Sequence, residues 1–386
     1  MTGLEVLARE SAALAAGIAA AAVDSGEAEA ARVLAICNAC RYCEGYCAMF
    51  KAMTRRLDFA RGDLHYLAHL CHSCGACLHA CPYAPPHEFA VSAPRAMAGV
   101  RMKSHVDFAW PRAFGALYRR ASATIALALA FGLALMLALV ATLAGLPAGP
   151  TPPGNFYAVL SHGAMIAIFG AALAYAAVAL GVSVARYRRF IGRAAGSSAA
   201  AGTAIRDALA LEYLRGGHGE GCNDADDAFS LWRRRFHHAT FYGFAACFAA
   251  TCVAAVYHYA LGLRVPYAWT SLPVLLGVAG GIALIVGPAG LLRLSLVRDA
   301  NHQLPGWKPV DRGFIALLML VSASGLTLLA FRATASMPAL LIVHLAAVLA
   351  LFATMPYGKF AHAVFRVAAL LKWAAERRER RPVDSL

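Results

Sequence analysis

Six long apolar stretches follow residue 121 and limit what this chain can fold into. They lie near residues 122–146, 156–185, 238–262, 272–292, 313–331 and 338–360, and their cores contain no Asp, Glu, Lys or Arg. Each is about 20 residues or longer, enough to cross about 30 Å of hydrocarbon as a helix. Apolar residues make up 60% of the chain and charged residues only 15%, which is low for a soluble protein. The sequence therefore predicts six transmembrane helices.

Positive charge is distributed unevenly between the predicted loops. The loop at 186–235 contains nine Arg and the tail contains ERRERR, whereas the connections at 147–155, 263–271 and 332–337 contain only Arg264 and Arg332. Because Lys and Arg stay on the cytoplasmic side, we expect both termini in the cytoplasm and the chain in the inner (cytoplasmic) membrane. The net charge of +14 then favours lipid as partner. No basic stretch is interleaved with base-stacking aromatics, so nucleic acid is not expected.

Two cysteine runs with identical spacing precede the apolar stretches. ICNACRYCEGYC at 36–47 and CHSCGACLHACP at 71–82 both follow C-x2-C-x2-C-x3-C. Zinc sites use cysteine pairs separated by a longer loop, whereas this triplet spacing is typical of [4Fe–4S] clusters. Pro82 follows the last cysteine, as in bacterial two-cluster ferredoxins, where the fourth cysteine of each run binds the other cluster. The first run has Ala48 at the corresponding position.

The cysteine pattern thus predicts two [4Fe–4S] clusters with exchanged fourth ligands. No basic segment precedes an apolar core near residue 1, so we expect no secretory signal and a reducing environment for the thiols. Cys222, Cys247 and Cys252 are given no role, because small buried cysteines are common. The first cluster is assigned Cys37, Cys40, Cys43 and Cys81, and the second Cys71, Cys74, Cys77 and Cys47.

Histidines stand out in the predicted spans, where polar residues are costly and commonly functional. His344 and His362 are 18 residues apart, which on one ideal helix puts them on the same face, about 27 Å apart. His258 lies at the same outer level as His344. His237 and His238 lie at the cytoplasmic level of His362.

Two levels with two imidazoles each are what a pair of b haems requires. We predict His238 with His362 and His258 with His344 as ligands, and His237 as the alternative to His238. A single haem remains possible, as do histidines that cap helix ends and line a quinone pocket.

Four segments closely resemble the tricarballylate and citrate utilisation protein B family. They are ICNACRYCEGYCAMF, CHSCGACLHACPYAPPHEFAV, RRRFHHATFYGFAACFAAT and HLAAVLALFATMPYGKFAHAVFR. The last is also similar to the final haem-binding helix of nitrate reductase gamma subunits. The resemblance implies a membrane iron–sulfur protein that reoxidises a separate FAD-dependent dehydrogenase acting on tricarballylate and passes the electrons to quinone. No G-x-G-x-x-G opens a strand–helix unit here, so the flavin belongs to another polypeptide.

The expected fold joins an α+β, bacterial-ferredoxin-like domain carrying two clusters to an all-α, cytochrome-b-like bundle of six transmembrane helices. The predicted boundaries are a helical segment at 1–35, the cluster domain at 36–120, the membrane domain at 121–371 with its loop at 186–235, and a basic tail at 372–386. We expect an oxidoreductase electron-transfer subunit without substrate chemistry of its own.

The alternative function is a tricarboxylate transporter with a redox-sensing iron–sulfur domain. A carrier for a trianion requires basic residues or broken helices near the midplane. The only candidate interruption is Pro288 with the glycines of 277–290.

Overall fold

The computed structural model describes residues 25–144, 154–192, 198–216, 219–302, 304 and 308–379. The predictions for 1–24 and for most of the tail, 380–386, lie outside these residues. Fourteen α-helices form within them. The described residues contain no strand, and their one extended pairing is an isolated bridge between Cys222 and Ser230. The α+β character expected of the cluster domain is therefore wrong: residues 48–70, between the cysteine runs, contain no Val or Ile, whose branching favours strands.

Six helices form the region that contains the two cysteine runs. Helix α5 begins where the Ser92 hydroxyl accepts a hydrogen bond from the Arg95 backbone N–H, and Pro94 occupies its first turn, both typical of helix starts. A shared core includes Leu34, Met53 and Tyr66. The helices are α1 (Ser25–Cys40), α2 (Ala48–Met53), α3 (Arg61–Leu70), α4 (Ala76–His79), α5 (Ala93–Asp107) and α6 (Arg112–Leu117).

Six further helices are long and apolar enough to cross a membrane, which confirms the predicted number of spans. The candidate spans are Ser122–Thr142, His162–Phe190, Trp232–Tyr259, Leu272–Val297, Lys308–Ala330 and Met337–Thr354. The helices that carry them are α7 (Ala121–Leu139), α8 (His162–Phe190), α10 (Trp232–Tyr259), α11 (Leu272–Val297), α12 (Lys308–Ala330) and α13 (Met337–Thr354); α9 (Ser198–Leu209) lies between the second and third.

Helices α10 and α11 approach each other through glycines. A Cβ atom added to Gly280 would lie 2.8 Å from the Gly243 carbonyl oxygen, and one added to Gly287 would lie 2.6 Å from the Thr240 hydroxyl. Small residues at such crossings let membrane helices pack backbone to backbone. Helix α11 continues through Pro288 without a break.

The last predicted span ends earlier than the sequence suggested. Helix α13 stops at Thr354, and α14 begins at Lys359 and runs to Glu376. Pro356 has no N–H to continue the helical hydrogen bonds, and Gly358 adopts an extended conformation. His344 and His362 therefore lie on different helices, and the single straight helix assumed for their shared face does not exist.

Helix α14 packs against the helices of the cluster domain. Trp373 is buried, and its indole N–H donates to the Tyr213 hydroxyl over 3.0 Å. Glu376 accepts hydrogen bonds from Arg56 at 2.7 Å and from Tyr66 at 2.9 Å. Three separate parts of the chain, α1–α5, α8–α9 and α14, therefore share one core, and this fixes the cysteines relative to the membrane helices.

Candidate functional site

Four thiols converge at the side of the cluster domain where α1 ends. Cys37, Cys40, Cys43 and Cys81 line one small cavity, together with Cys77 of the second run. Burial, followed by the neighbouring Cys81, raises the pKa of Cys37 and of Cys43 to about 12. The structure thus places Cys81 with the first three cysteines of the other run, the arrangement predicted for the first cluster.

The remaining four cysteines form a second group. Cys47 precedes α2, Cys71 follows α3, Cys74 lies three residues later in the same loop, and Cys77 lies in α4. Burial, followed by Cys74 and Cys71, raises the pKa of Cys47 to about 12. Burial, followed by Cys74, Cys71 and Cys47, also raises the pKa of Cys77. These four thiols are therefore mutual neighbours, as predicted for the second cluster.

The chemistry of these two groups fits clusters better than single ions. All eleven cysteines are free, so none is used in a disulfide. Among the described residues no group of three or more His, Cys, Asp or Glu side chains could hold one metal ion. A [4Fe–4S] cluster instead spreads four thiolates over the corners of a cube, and binding to iron keeps them deprotonated despite burial. Cluster ligation remains a prediction that the two thiol groups fit.

The second group lies against the membrane domain. The Arg298 guanidinium, just after α11, donates to the Ser73 carbonyl oxygen over 2.6 Å. Arg366 of α14 donates to the Cys71 carbonyl oxygen over 2.7 Å. The loop before α10 contributes the Asn223 backbone N–H, which donates to the Cys74 carbonyl oxygen over 2.9 Å. Contacts from three parts of the membrane domain therefore surround the loop that holds the second group.

At the level predicted to be cytoplasmic, the structure selects between the two adjacent histidines of α10. The rings of His237 and His362 have centroids 6.4 Å apart, and both line one cavity. The His238 ring instead packs against Tyr242 of its own helix at 5.7 Å. The pair formed here is thus His237 with His362, the alternative that the sequence left open, and not His238 with His362.

At the level predicted to be the outer one, the predicted partners do not meet. His258 lies 4.1 Å from the His162 ring, measured between centroids. The His344 Nδ1 atom is 3.1 Å from the Ser324 hydroxyl of α12. The predicted pair of His258 with His344 is therefore not brought together, because each ring has a closer partner.

The cavity shared by His237 and His362 has a volume of about 350 Å³, and we call it the junction cavity. It is bounded by α10, α11, α12 and α14, and Ser73 of the second cysteine run lines it as well. Apolar walls come from residues such as Phe244 and Leu318. Its cationic lining side chains are Arg101, Arg233, Arg298, Lys308 and Lys359.

Sequence reasoning missed most of this polar lining. Arg101, in α5, donates to the Ser73 hydroxyl over 2.6 Å and to the Cys71 carbonyl oxygen over 3.2 Å. Lys359 forms an ion pair with Asp311 at 2.7 Å. Burial, followed by Arg366 and Lys359, lowers the pKa of His362 well below its usual value. Arg101 lies outside the predicted spans and Lys359 at the very end of the sixth. Their basic character was the only signal in the sequence, and the predicted membrane orientation already accounted for it.

Two family profiles match consecutive parts of the chain. The family profile described as Citrate utilization protein B matches residues 116–383, and its Fer4-like domain matches residues 30–107. The chain belongs to the citrate utilization protein B family. A protein of Escherichia coli named Citrate utilization protein B is 55% identical over 352 residues, covering 91% of this chain and 93% of that protein.

Membership of the citrate utilization protein B family confirms the resemblance found in the sequence. The Fer4-like match includes all eight cysteines of the two runs, so the N-terminal region is the expected Fer4-like domain even though it is helical. No solved structure matches the chain.

Proposed function

We propose that this chain is a membrane electron-transfer protein that reoxidises a partner FAD-dependent dehydrogenase acting on tricarballylate or a citrate-like acid. Electrons pass through two [4Fe–4S] clusters and b haem to membrane quinone. The observation that carries the proposal is the arrangement of the eight cysteines. One group of four lies at an exposed end of the Fer4-like domain and the other lies against the membrane helices, as a conductor between two partners requires.

Electrons enter at the first group. Cys40 is exposed, and Tyr42 beside it is 63% exposed. Leu57 is 94% exposed and is brought near by the hydrogen bond from Asn38 to the Arg56 carbonyl oxygen at 2.9 Å. Large exposed apolar side chains that lie together mark protein contacts. We call the exposed apolar side chains of Tyr42 and Leu57 the entry surface.

Electrons leave through the second group toward the junction cavity. A b haem in this cavity would be held by the imidazoles of His237 and His362. Their ring centroids lie 6.4 Å apart. A b haem held by this pair would supply a one-electron carrier, and the cations lining the cavity would offset its anionic carboxylates. Ser73 lies between two ligands of the second cluster and on the cavity wall, which makes the route continuous.

The charge distribution supports the orientation. We place the chain in the inner membrane, with both termini and the Fer4-like domain in the cytoplasm, because the Arg-rich segment at 186–235 packs with that domain. The junction cavity then lies at the cytoplasmic level of the bilayer. There the quinone, the lipid-soluble acceptor, meets protons from the cytoplasm.

The transporter alternative receives less support. It depends on a broken helix near the midplane, whereas α11 runs from Leu272 to Val297 through Pro288. Of the cations that line the junction cavity, Arg101 and Arg298 donate to Ser73 of the cysteine loop.

Optical spectroscopy of the purified protein tests the haem step. We expect dithionite to produce a b-type α band and a short-chain quinone to remove it. His362→Ala and His237→Ala should abolish the band, and the matched variant His238→Ala should keep it. Iron–sulfur absorbance without any haem band would refute the haem step, and a reduced protein that quinone cannot reoxidise would refute the acceptor.

The partner requires a separate experiment. A tricarballylate dehydrogenase flavoprotein, reduced by its substrate under anaerobic conditions, is mixed with this protein in detergent. We expect flavin reoxidation to accompany bleaching of the iron–sulfur absorbance. Flavin that stays reduced while dithionite still bleaches the clusters would show that the dehydrogenase is not the electron donor.

A further inference from the structure

A ninth cysteine lies beside the second thiol group. Cys222 belongs to the loop before α10, is fully buried, and packs in a small cluster with Leu211, Leu214 and Cys74. Its side chain packs against Cys74, and its thiol donates to the Leu214 carbonyl oxygen over 3.7 Å. Nothing in the spacing of the cysteine runs indicates this contact, because Cys222 is remote in sequence.

Backbone hydrogen bonds hold Cys222 in place. Its N–H donates to the Ser230 carbonyl oxygen over 2.8 Å, and its carbonyl oxygen accepts from the Ser230 N–H over 2.9 Å. The next residue, Asn223, donates its N–H to the Cys74 carbonyl oxygen over 2.9 Å. The loop is thus fastened to the cysteine run on both sides of the thiol contact.

Gly75 permits this approach. Its φ of +86° is in the left-handed region that glycine tolerates. A Cβ atom at this position would lie 2.3 Å from the Asn223 carbonyl oxygen, far inside normal contact. The cysteine run therefore has no side chain at this position. The loop that contains Cys222 can pack close to the run, and Cys222 contacts Cys74.

A hydrogen bond to a ligand sulfur changes the energy of a cluster. Reduction adds one negative charge, which spreads onto the coordinating thiolates. A donor aimed at a thiolate stabilises that charge, so hydrogen bonds to the sulfurs help set cluster potentials. The Cys74 thiolate is also a stronger acceptor than the neutral Leu214 carbonyl, because bonds to charged acceptors are stronger.

We propose that Cys222 is a positioning residue for electron transfer whose S–H group donates to the Cys74 thiolate and raises the reduction potential of the second cluster. This proposal rests on the proposed function, specifically on a [4Fe–4S] cluster at Cys47, Cys71, Cys74 and Cys77. The effect favours electron transfer from the first cluster toward the membrane side. A residue in a loop of the membrane domain thus influences the reduction potential of a cluster in the Fer4-like domain.

The test is a redox titration of the full-length protein in detergent, followed by electron paramagnetic resonance. In Cys222→Ala we expect the second cluster to be about tenfold harder to reduce, equivalent to a potential about 59 mV lower for one electron. The potential of the first cluster should not change. Cys222→Ser keeps an O–H donor and should stay close to the wild type. Cys247→Ala, which removes a thiol inside α10, serves as the matched control.

Three results would overturn the proposal. An unchanged second potential in Cys222→Ala would show that the hydrogen bond has no influence. A lowered potential in Cys222→Ser as well would assign the effect to the sulfur itself and not to a donor. Loss of the second cluster in both variants would make Cys222 a ligand. A wild-type protein without [4Fe–4S] signals would instead refute the proposed function, so the two failures are distinguishable.

Discussion

Replacing Gly75 by Ala should loosen the contact between the cysteine runs and the membrane domain. The positive φ alone costs about 1–2 kcal/mol for a residue with a Cβ. In addition, the new Cβ would lie 2.3 Å from both the Asn223 carbonyl oxygen and the His302 Cε1 atom. Ordinary contacts between such atoms are about 3.5 Å or longer, so two loops must each retreat by about 1 Å.

These loops cannot move without losing specific interactions. Asn223 is fixed by its hydrogen bond to Cys74, and His302 is 1% exposed in the loop after α11. We expect the free energy of unfolding of the cluster domain to fall by about 2–4 kcal/mol, from backbone strain together with the overpacking that an extra methyl causes in a filled site. Electron transfer from the second cluster to the membrane domain should slow, because the loop that joins them shifts.

Two measurements check this prediction. Thermal unfolding in detergent, followed by iron–sulfur absorbance, gives the loss of stability, and stopped-flow reoxidation of the reduced clusters by quinone gives the rate. Gly99→Ala is the control: Gly99 lies in α5, where an added Cβ atom would have no neighbouring atom within 4 Å, and Ala in a helix is favoured by about 0.5–1 kcal/mol. If Gly75→Ala unfolds and reacts like Gly99→Ala, the close approach is not important and the reasoning fails.

Three further predictions address the clusters, the entry surface and the packing of α14. Cys81→Ala should remove the first cluster and about half of the iron–sulfur spin count, while the second cluster remains. Cys247→Ala is the control. Loss of the second cluster alone would contradict the assignment of Cys81 to the first cluster. Leu57→Glu should raise the KM for the reduced dehydrogenase about tenfold, since about 1.4 kcal/mol of contact energy is lost. The reduction of the clusters by dithionite should not change. An equal increase in KM from Ile205→Glu, at a residue that is 52% exposed on α9, would show that the effect is not specific to the entry surface. Trp373→Phe removes the hydrogen bond to Tyr213 and should lower the free energy of unfolding by about 1–2 kcal/mol; an unchanged thermal midpoint would show that α14 is held by other contacts.

The histidines show where sequence reasoning was sufficient and where it was not. Spacing identified the polar residues of the spans and limited the cytoplasmic pair to His362 with one of two neighbours on α10. The choice depended on how α10 is rotated against α14, which is a property of packing. The structure turns His237 toward His362 and leaves His238 beside Tyr242. The break at Pro356 and Gly358 is readable from the sequence, because Pro interrupts a helix, but the prediction followed the apolar length of 338–360 instead.

The sequence by itself determined the parts of this protein that follow from local pattern. The lengths of the apolar stretches predicted six spans, because a helix needs about 20 apolar residues to cross a bilayer. Cysteine spacing gave two groups of thiols, because a cubane cluster needs ligands stepped along a short run. Both signals are contained within a few tens of residues and need no knowledge of the fold.

Only the tertiary structure decided which cysteine group faces the membrane domain and what surrounds it. Cys222, Arg298 and Arg366 reach the second group from three segments distant in sequence. Such contacts arise because α14 and the loops of the membrane helices share one core with the Fer4-like domain. Burial of that common surface brings together segments that are distant in sequence, and it places Cys222 and the junction cavity beside the second cysteine run.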